Sequence, residues 1–186
     1  GWKIINNSAS GDALGITMWT GANTNHLTFE YMELQGPARA NSTVDAWGMR
    51  GINDVPYQSS SSYHTFSHMK IHGWGDGIHI NYASNHIFEY IDMYNISNFG
   101  GTSHPNLMYI INSNNGIIRY SKFHDSAASG SGIAFSDGGP FANWQIYGNL
   151  FYDMTTNNAV AIGVQRATIT GLKIFNNTFS NNWVNF

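Results

Sequence analysis

The stretch at residues 88–95, "FEYIDMYN", carries the pattern on which the whole chain is built. Apolar and polar residues alternate and then stop at an asparagine, which is typical of a short β-strand that ends in a turn. The stretches "FEYMELQG" at 29–36 and "FSHMKIHG" at 66–73 repeat it. The first apolar residue of each repeat, here called its anchor, recurs at Ile4, Phe29, Phe66, Phe88, Ile118, Ile146 and Ile174.

A second short strand follows most anchors. Its segments are "GITMW" at 15–19, "AWGMR" at 46–50, "GIHIN" at 77–81, "LMYII" at 107–111, "GIAFS" at 132–136 and "AVAIG" at 159–163. Two or three short strands in units of about 25 residues are typical of a parallel β-helix, whereas a β-propeller has longer units of four strands. We therefore predict an all-β, single-stranded solenoid of about seven coils, one domain over residues 1–186, with the anchors in one interior column.

Two later stretches resemble a known superfamily. "NWQIYGNLFYD" at 143–153 and "GLKIFNNTFSNN" at 171–182 are similar to the generic coil of the right-handed parallel β-helix superfamily, the pectate-lyase-like proteins. The resemblance implies a right-handed solenoid, a polysaccharide partner and a location outside the cell or at its surface. It specifies the fold far better than the activity.

Composition excludes several other classes. A formal net charge of −3 supplies no basic surface for nucleic acid, and no apolar run approaches the roughly 18 residues that span a bilayer. The chain has no cysteine, so it holds no disulfide and no thiolate metal site. No histidine spacing indicates a transition-metal site.

Equivalent positions in stacked coils form ladders, which account for most of the charges. Four residues after successive anchors, the side chains alternate in sign, as expected of a solvent-facing ion-pair ladder. Six residues after them, a column of planar side chains predicts stacking, with a platform for sugar rings as the alternative. The charged ladder is Glu33, Lys70, Asp92 and Lys122, and the planar column is Gln35, His72, Tyr94, His124 and Tyr152.

One coil has an unusually short link between its two strands. "GWGD" at 73–76 lies between coils with longer insertions at 37–45 and 96–105, and a further insertion is predicted at 51–63. In-register stacking would leave a low saddle at Trp74 and Asp76, and long insertions in solenoids often line a binding face. Alternatively, Asp76 is a turn residue and Trp74 packs within a loop.

The saddle defines our candidate site. An exposed Trp74 beside polar groups suits a sugar, and a carboxylate next to an imidazole can perform acid–base chemistry. The "GDGIHI" stretch resembles only the Asp-Gly-Ile part of the polygalacturonase pattern, at residues 76–78. The catalytic candidates are Asp76, His79, Asp45 and Arg50, and the substrate-binding candidates are Trp74, His72, His104 and Tyr109.

The sequence pattern requires no cofactor. The superfamily resemblance suggests Ca²⁺, which Asp45 and Asp76 would hold. Two functions stand at this point: a carbohydrate-active β-helix, a lyase or a glycosidase, and a non-catalytic structural or adhesive solenoid. Neither end of the chain carries a cap of the kind that solenoids need. We therefore expect either a segment of a longer solenoid or end-to-end self-association.

Overall fold

The computed structural model describes residues 1–6, 13–18, 24–37, 49–55, 61–96, 105–126, 131–154, 160–181 and 183–185. In these ranges every regular element is a strand, and no helix is long and apolar enough to cross a membrane. The first strands are β1 (Trp2–Ile5), β2 (Ala13–Met18), β3 (Thr24–Asn25), β4 (Thr28–Glu30), β5 (Met32–Gln35), β6 (Met49–Asp54), β7 (Ser61–Ser62) and β8 (Thr65–Ser67). The middle strands are β9 (Lys70–His72), β10 (Asp76–Asn81), β11 (Ala83–Ser84), β12 (Ile87–Glu89), β13 (Asp92–Tyr94), β14 (Met108–Ile111), β15 (Ile117–Arg119) and β16 (Lys122–His124). The last are β17 (Ser131–Ser136), β18 (Phe141–Ala142), β19 (Gln145–Tyr147), β20 (Leu150–Tyr152), β21 (Val160–Gln165), β22 (Ile169–Thr170), β23 (Lys173–Phe175), β24 (Thr178–Ser180) and β25 (Trp183–Asn185).

These strands stack into three long parallel sheets. Sheet A has the order β1-β5-β9-β13-β16-β20-β24, and sheet B has the order β2-β6-β10-β14-β17-β21-β25. Sheet D has the order β23-β19-β15-β12-β8-β4, and two short strips, β11-β7-β3 and β18-β22, form a fourth side called C. The chain passes through D, A, B and C in turn and then repeats. The predicted parallel β-helix of seven coils is therefore confirmed, with four strands rather than two or three in most coils.

Six of the seven anchors form the predicted interior column, which runs along sheet D from Phe29 to Ile174. Phe66 and Phe88 are fully buried there, with their rings stacked 5.1 Å apart. The prediction for Ile4 is wrong, because β1 belongs to sheet A and pairs Ile4 with Leu34. An alternating strand of four residues fits either sheet equally well, and no preceding turn marks its place in the coil.

The insertion predicted at 51–63 is wrong in its first part. Strand β6 continues to Asp54, and β7 occupies Ser61–Ser62. Strand β6 begins at Met49, three residues later than the segment predicted at 46–50, and therefore includes residues 51–54. Its register agrees, because Arg50 pairs with Asp76 of sheet B. Most of the insertions predicted at 37–45 and 96–105 lies outside the described residues.

Corners with left-handed backbone angles turn the chain between sheets. The corner between sheet B and side C, here called the B–C corner, is formed by Tyr82, Asn112, Asp137 and Arg166, whose φ angles lie between 47° and 62°. Asn and Asp tolerate this conformation better than most residues. Because successive coils are in register, the corner side chains of neighbouring coils lie side by side.

The predicted positions of both ladders are confirmed, but the ion pairs predicted along the charged ladder do not form: Glu33 pairs with Lys3 and His72 instead, and Asp92 pairs with His124. Register pairs Lys70 with both Glu33 and Asp92, and Asp92 with Lys122. In the planar column, His72 stacks on Tyr94 at 4.8 Å, and His124 stacks on Tyr152 at 4.5 Å. The alternating charges of the ladder therefore lie side by side on the surface of sheet A without direct ion pairs between them.

A polar cluster lies inside the solenoid, where all four of its side chains are buried. The rings of His64 and His86 stack at 4.9 Å, as their shared ladder position predicts. The backbone N–H of Leu27 donates to Nδ1 of His64, and the backbone N–H of His64 donates to Nδ1 of His86, each at 3.1 Å. The proton of each neutral ring therefore lies on Nε2. His86 then donates to Asp54 at 2.8 Å, and His64 donates to Ser61, which donates to Asp54 at 2.9 Å.

This cluster predicts a loss of stability in mild acid. Burial lowers the pKa of His64 from its ordinary 6.5 to about 4, with the neighbouring His86 adding to the shift and Asp54 opposing it. The unfolded chain then binds more protons than the folded one between pH 6.5 and about 4, so stability is complete above that window and falls as the pH drops through it. We expect His64 to contribute a loss of about 3 kcal/mol to urea titrations across the window, with a further loss from His79, whose pKa is also lowered by burial.

The control variant is His68→Asn, which removes an exposed histidine from another corner and should retain the same pH dependence. A free energy of unfolding that stays constant across the window would contradict this account of the cluster.

Candidate functional site

The candidate site lies on the outer side of sheet B, on strands β6, β10 and β14. Ile78 and Ile80 point into the core, so His79 between them faces outward. Register places His79 beside Asn53 on one side and Tyr109 on the other. Three neighbouring coils thus contribute side chains to one surface.

Two glycines near the start of these strands allow close packing on the inner side of sheet B. A Cβ atom at Gly51 would lie 2.7 Å from the Gly77 carbonyl oxygen and from Cγ2 of Ile71, and one at Gly77 would lie 2.6 Å from the Leu107 carbonyl oxygen. Real side chains do not approach so closely, so both positions require glycine. Register sets Arg50 opposite Asp76, near the first residues of these two strands.

Arg50, Asp76 and His79 form one cluster. Nε of Arg50 lies 3.9 Å from Oδ2 of Asp76, and Nδ1 of His79 lies 3.7 Å from the same oxygen. Arg50 also donates from Nη1 to Oδ1 of Asn53 at 2.9 Å. Asp76 and His79 are each only 4% exposed, so the predicted saddle is not an open surface at these residues. The prediction that they lie close to Arg50 is supported by these distances.

Asp76 also holds the turn of the next coil. Its Oδ1 accepts a hydrogen bond from the backbone N–H of Asn106 at 2.9 Å. The side-chain oxygen of Asn106 in turn accepts from the backbone N–H of Ser131 at 2.7 Å. The turn-residue interpretation of Asp76 therefore has a structural basis, because the carboxylate fixes the start of a neighbouring strand.

The environment favours an uncharged His79. Burial lowers the pKa of His79 below its ordinary value of 6.5; the nearby Asp76 opposes this shift, and the charge of Arg50 adds to it. A neutral imidazole has one nitrogen that can accept a proton, which is the property required of a general base.

Tyr109 completes the cluster from the next coil. Its ring meets that of His79 edge to face, with centroids 5.1 Å apart. The phenol donates a hydrogen bond to Oδ2 of Asp137, and burial together with this carboxylate raises the pKa of Tyr109 above its ordinary value. The phenol therefore stays protonated at neutral pH, with its proton directed to Asp137.

Trp74 does not belong to this surface, so its predicted role as an exposed platform for sugar is wrong. The side chain is 0% exposed, and its Nε1 donates to the Leu34 carbonyl oxygen at 3.1 Å. The indole lies inside the solenoid, where glycines leave room for it: a Cβ at Gly36 would stand 2.7 Å from the ring.

His72 also lies away from the cluster. It is part of strand β9 in sheet A, where its ring stacks on Tyr94 and its Nε2 lies 3.1 Å from Glu33. His72 therefore belongs to the stacked column that was predicted for it. The assignment of His72 to the saddle is wrong, because the corner after residue 72 separates sheet A from sheet B. The candidates Asp45 and His104 lie outside the described residues.

Asn53 and Asp137 belong to the site but were not among the residues predicted from the sequence. Asn53 was assigned to an insertion, and a correct register for β6 would have placed it beside His79. Asp137 follows strand β17 in the stretch "SDGGP", a turn signal that gives no hint of a contact one coil away. Only stacking of the coils brings it to Tyr109.

The described part of the site does not favour a metal ion at Asp76. One of its oxygens accepts from a backbone N–H and the other faces Arg50 and His79, whereas Ca²⁺ needs six to eight oxygen ligands. Among the described residues, no group of three or more His, Asp or Glu side chains could hold a metal ion. Ca²⁺ binding with Asp45 stays an untested prediction.

Comparison with known proteins supports the fold. No family model and no curated protein matches the chain. Among solved structures, an alginate lyase from Paenibacillus sp. str. FPU-7 is similar, with a TM-score of 0.50 and 14% sequence identity over 96% of this chain and 76% of that one. At this identity the likeness shows the shared parallel β-helix fold, and membership of the pectate-lyase-like superfamily stays a prediction.

Proposed function

We propose that this protein is a polysaccharide lyase that binds an acidic polymer, a polyuronide, on the outer side of sheet B and cleaves it by β-elimination. The observation that carries the proposal is the convergence of a guanidinium, an imidazole and a protonated phenol from three neighbouring coils, at Arg50, His79 and Tyr109. The fold shared with an alginate lyase adds support. Such a polymer is met outside the cell or at its surface, and we propose that location.

Arg50 and His79 have defined parts in this reaction. Arg50 pairs with the carboxylate of the uronate, which makes the proton on the adjacent ring carbon easier to remove. Asp76 faces Nδ1 of His79 and so favours a proton on that nitrogen, which makes Nε2 the basic nitrogen. Because His79 is only 4% exposed, binding of the polymer has to displace the groups that cover this ring. Asp76 is a positioning residue in this scheme.

Nε2 of His79 takes the proton from C5 of the uronate, the C4–O bond breaks, and a C4=C5 double bond forms. The departing glycosidic oxygen takes a proton from water, because the proton of Tyr109 is donated to Asp137. His79 then gives its extra proton to the hydroxide that remains.

Elimination fits the described residues better than hydrolysis. Hydrolysis by paired carboxylates requires a second acid about 5.5–9.5 Å from the first. Asp76 is engaged by Arg50, His79 and Asn106, and the nearby Asp137 accepts from Tyr109. The glycosidase alternative depends on Asp45, which lies outside the described residues.

The second candidate is a non-catalytic structural or adhesive solenoid. The hydrogen bonds that link Asp76 to Asn106 and Asn106 to Ser131 favour it, because they give the central carboxylate a role in holding coils together. End-to-end self-association belongs to this alternative and stays a prediction.

The test is incubation of the purified chain with alginate and polygalacturonate, with neutral dextran as the control polymer. We expect the ultraviolet absorbance of an unsaturated product to rise with a uronate polymer and not with dextran. Binding without unsaturated product would contradict the lyase and favour a binding module. New reducing ends without unsaturation would indicate hydrolysis, and no binding at all would favour the structural alternative.

A further inference from the structure

An open depression lies at the B–C corner, two to three coil steps from the strand that carries His79. It has a volume of about 410 Å³ and is bounded by the corner turns of two neighbouring coils, one after β17 and one after β21. The residues that line it are Gly138, Gly139, Pro140, Arg166, Ala167 and Thr168. It combines one cation, one hydroxyl and the apolar surfaces of a proline and an alanine.

Asp137 connects this depression with the candidate site. Its Oδ2 accepts from the phenol of Tyr109, which is buried, and its Oδ1 lies 3.8 Å from Nη1 of Arg166. Register explains the contact, because Ser136 pairs with Gln165 and the two corner residues that follow are therefore neighbours. A line of groups thus leads from His79 through Tyr109 and Asp137 to Arg166.

Arg166 is well placed to bind an anion from solution. Its side chain is 86% exposed, and its distance to Asp137 exceeds that of a hydrogen bond. An exposed pair at this distance contributes little to stability, so a carboxylate ligand can replace it without a large loss. The planar guanidinium offers paired N–H donors that match the two oxygens of a carboxylate. Asp137, at 3.8 Å, does not engage these donors.

The distance along the solenoid suits a polymer. Three coil steps separate β10, which carries His79, from β21, which precedes Arg166. At the usual spacing of adjacent strands this is about 14 Å. A chain of pyranose rings covers that span with more than one sugar unit, so a polymer at His79 can reach Arg166.

We propose that the depression is a subsite for a carboxylate-bearing sugar unit, bound through Arg166, a few units away from the bond that is cleaved. The apolar surfaces of Pro140 and Ala167 face the C–H side of the ring, and Arg166 selects for negative charge. This proposal rests on the proposed function, because it concerns a further unit of the same acidic polymer.

The experiment compares Arg166→Asn with the native chain on short and long oligouronides. Asn112 occupies the equivalent corner position with a φ of 47°, so asparagine fits the backbone at 166 and the fold should persist. We expect KM for long oligomers to rise about tenfold or more, with kcat nearly unchanged and with little effect on oligomers too short to reach the corner. Arg166→Lys should have an intermediate effect, and Lys173→Gln, which removes an exposed cation from sheet D, should have none.

The same variants are titrated calorimetrically with a long oligomer in the His79→Gln background, so that binding is read without turnover. An unchanged affinity and KM in Arg166→Asn, while the native chain still cleaves the polymer, would overturn the subsite and leave the proposed function intact. An equal loss for short and long oligomers would also overturn it. A native chain that neither binds nor cleaves any uronate polymer would overturn both proposals.

Discussion

Replacing His79 by glutamine should lower the rate of polymer cleavage by about 10²–10⁴-fold, the usual contribution of a general base. Glutamine retains polar atoms in a comparable volume but cannot take a proton at neutral pH. The melting temperature should change by no more than a few degrees, since Ile78 and Ile80, which anchor the strand in the core, are untouched. The measurement is kcat on a uronate polymer from the absorbance of the unsaturated product.

The matched control is His68→Asn, which removes an exposed imidazole at the corner between sheets D and A. Its activity should equal that of the native chain. The acid limb of the native pH–rate profile should lie below pH 6.5, because burial lowers the pKa of His79 from that ordinary value. Full activity of His79→Gln, or an acid limb above 6.5, would exclude His79 as the base.

Replacing Trp74 by alanine should lower the free energy of unfolding by about 3–5 kcal/mol, the usual cost of removing a buried indole. The ring is fully buried and fills space against Gly15, Gly36 and Gly51 of neighbouring coils. Truncation also removes the donor to the Leu34 carbonyl oxygen. The measurement is a urea titration of each variant at neutral pH.

Trp2→Ala is the control for Trp74→Ala, because Trp2 is 81% exposed and its removal creates no cavity. We expect its free energy of unfolding to stay within about 0.5 kcal/mol of the native value. If Trp74→Ala were as stable as the native chain but bound polysaccharide more weakly, Trp74 would be a binding residue after all, contrary to its position inside the solenoid.

The repeat in the sequence was sufficient to predict the architecture. In a parallel stack each coil pairs with an almost identical neighbour, so a periodic pattern specifies both the strands and their register. The alignment of Phe66 with Phe88, the sign alternation at Lys70 and Asp92, and the stacking of His64 on His86 all follow from this periodicity. The alignment failed at Ile4 and in β6, where a short strand without a marked turn can be shifted along the coil.

The candidate site was predicted only in part. Asp76 and His79 are close in sequence and share a strand, and Arg50 has the same place in the preceding coil, so their proximity could be inferred. The presence of Asp137 beside this cluster could not be inferred, because its contact with Tyr109 depends on how the corners of successive coils stack.

The solenoid, the register of its ladders and the strand that carries His79 could be predicted from the sequence, because these depend on local alternation and on a repeat. The position of Trp74 inside the solenoid and the contact of Tyr109 with Asp137 depend instead on how the coils pack. The direction of a side chain at a corner depends on the space left by other coils: glycines at 15, 36 and 51 open an interior volume for the indole. That volume is formed by residues distant in the chain, and no local pattern around residue 74 describes it.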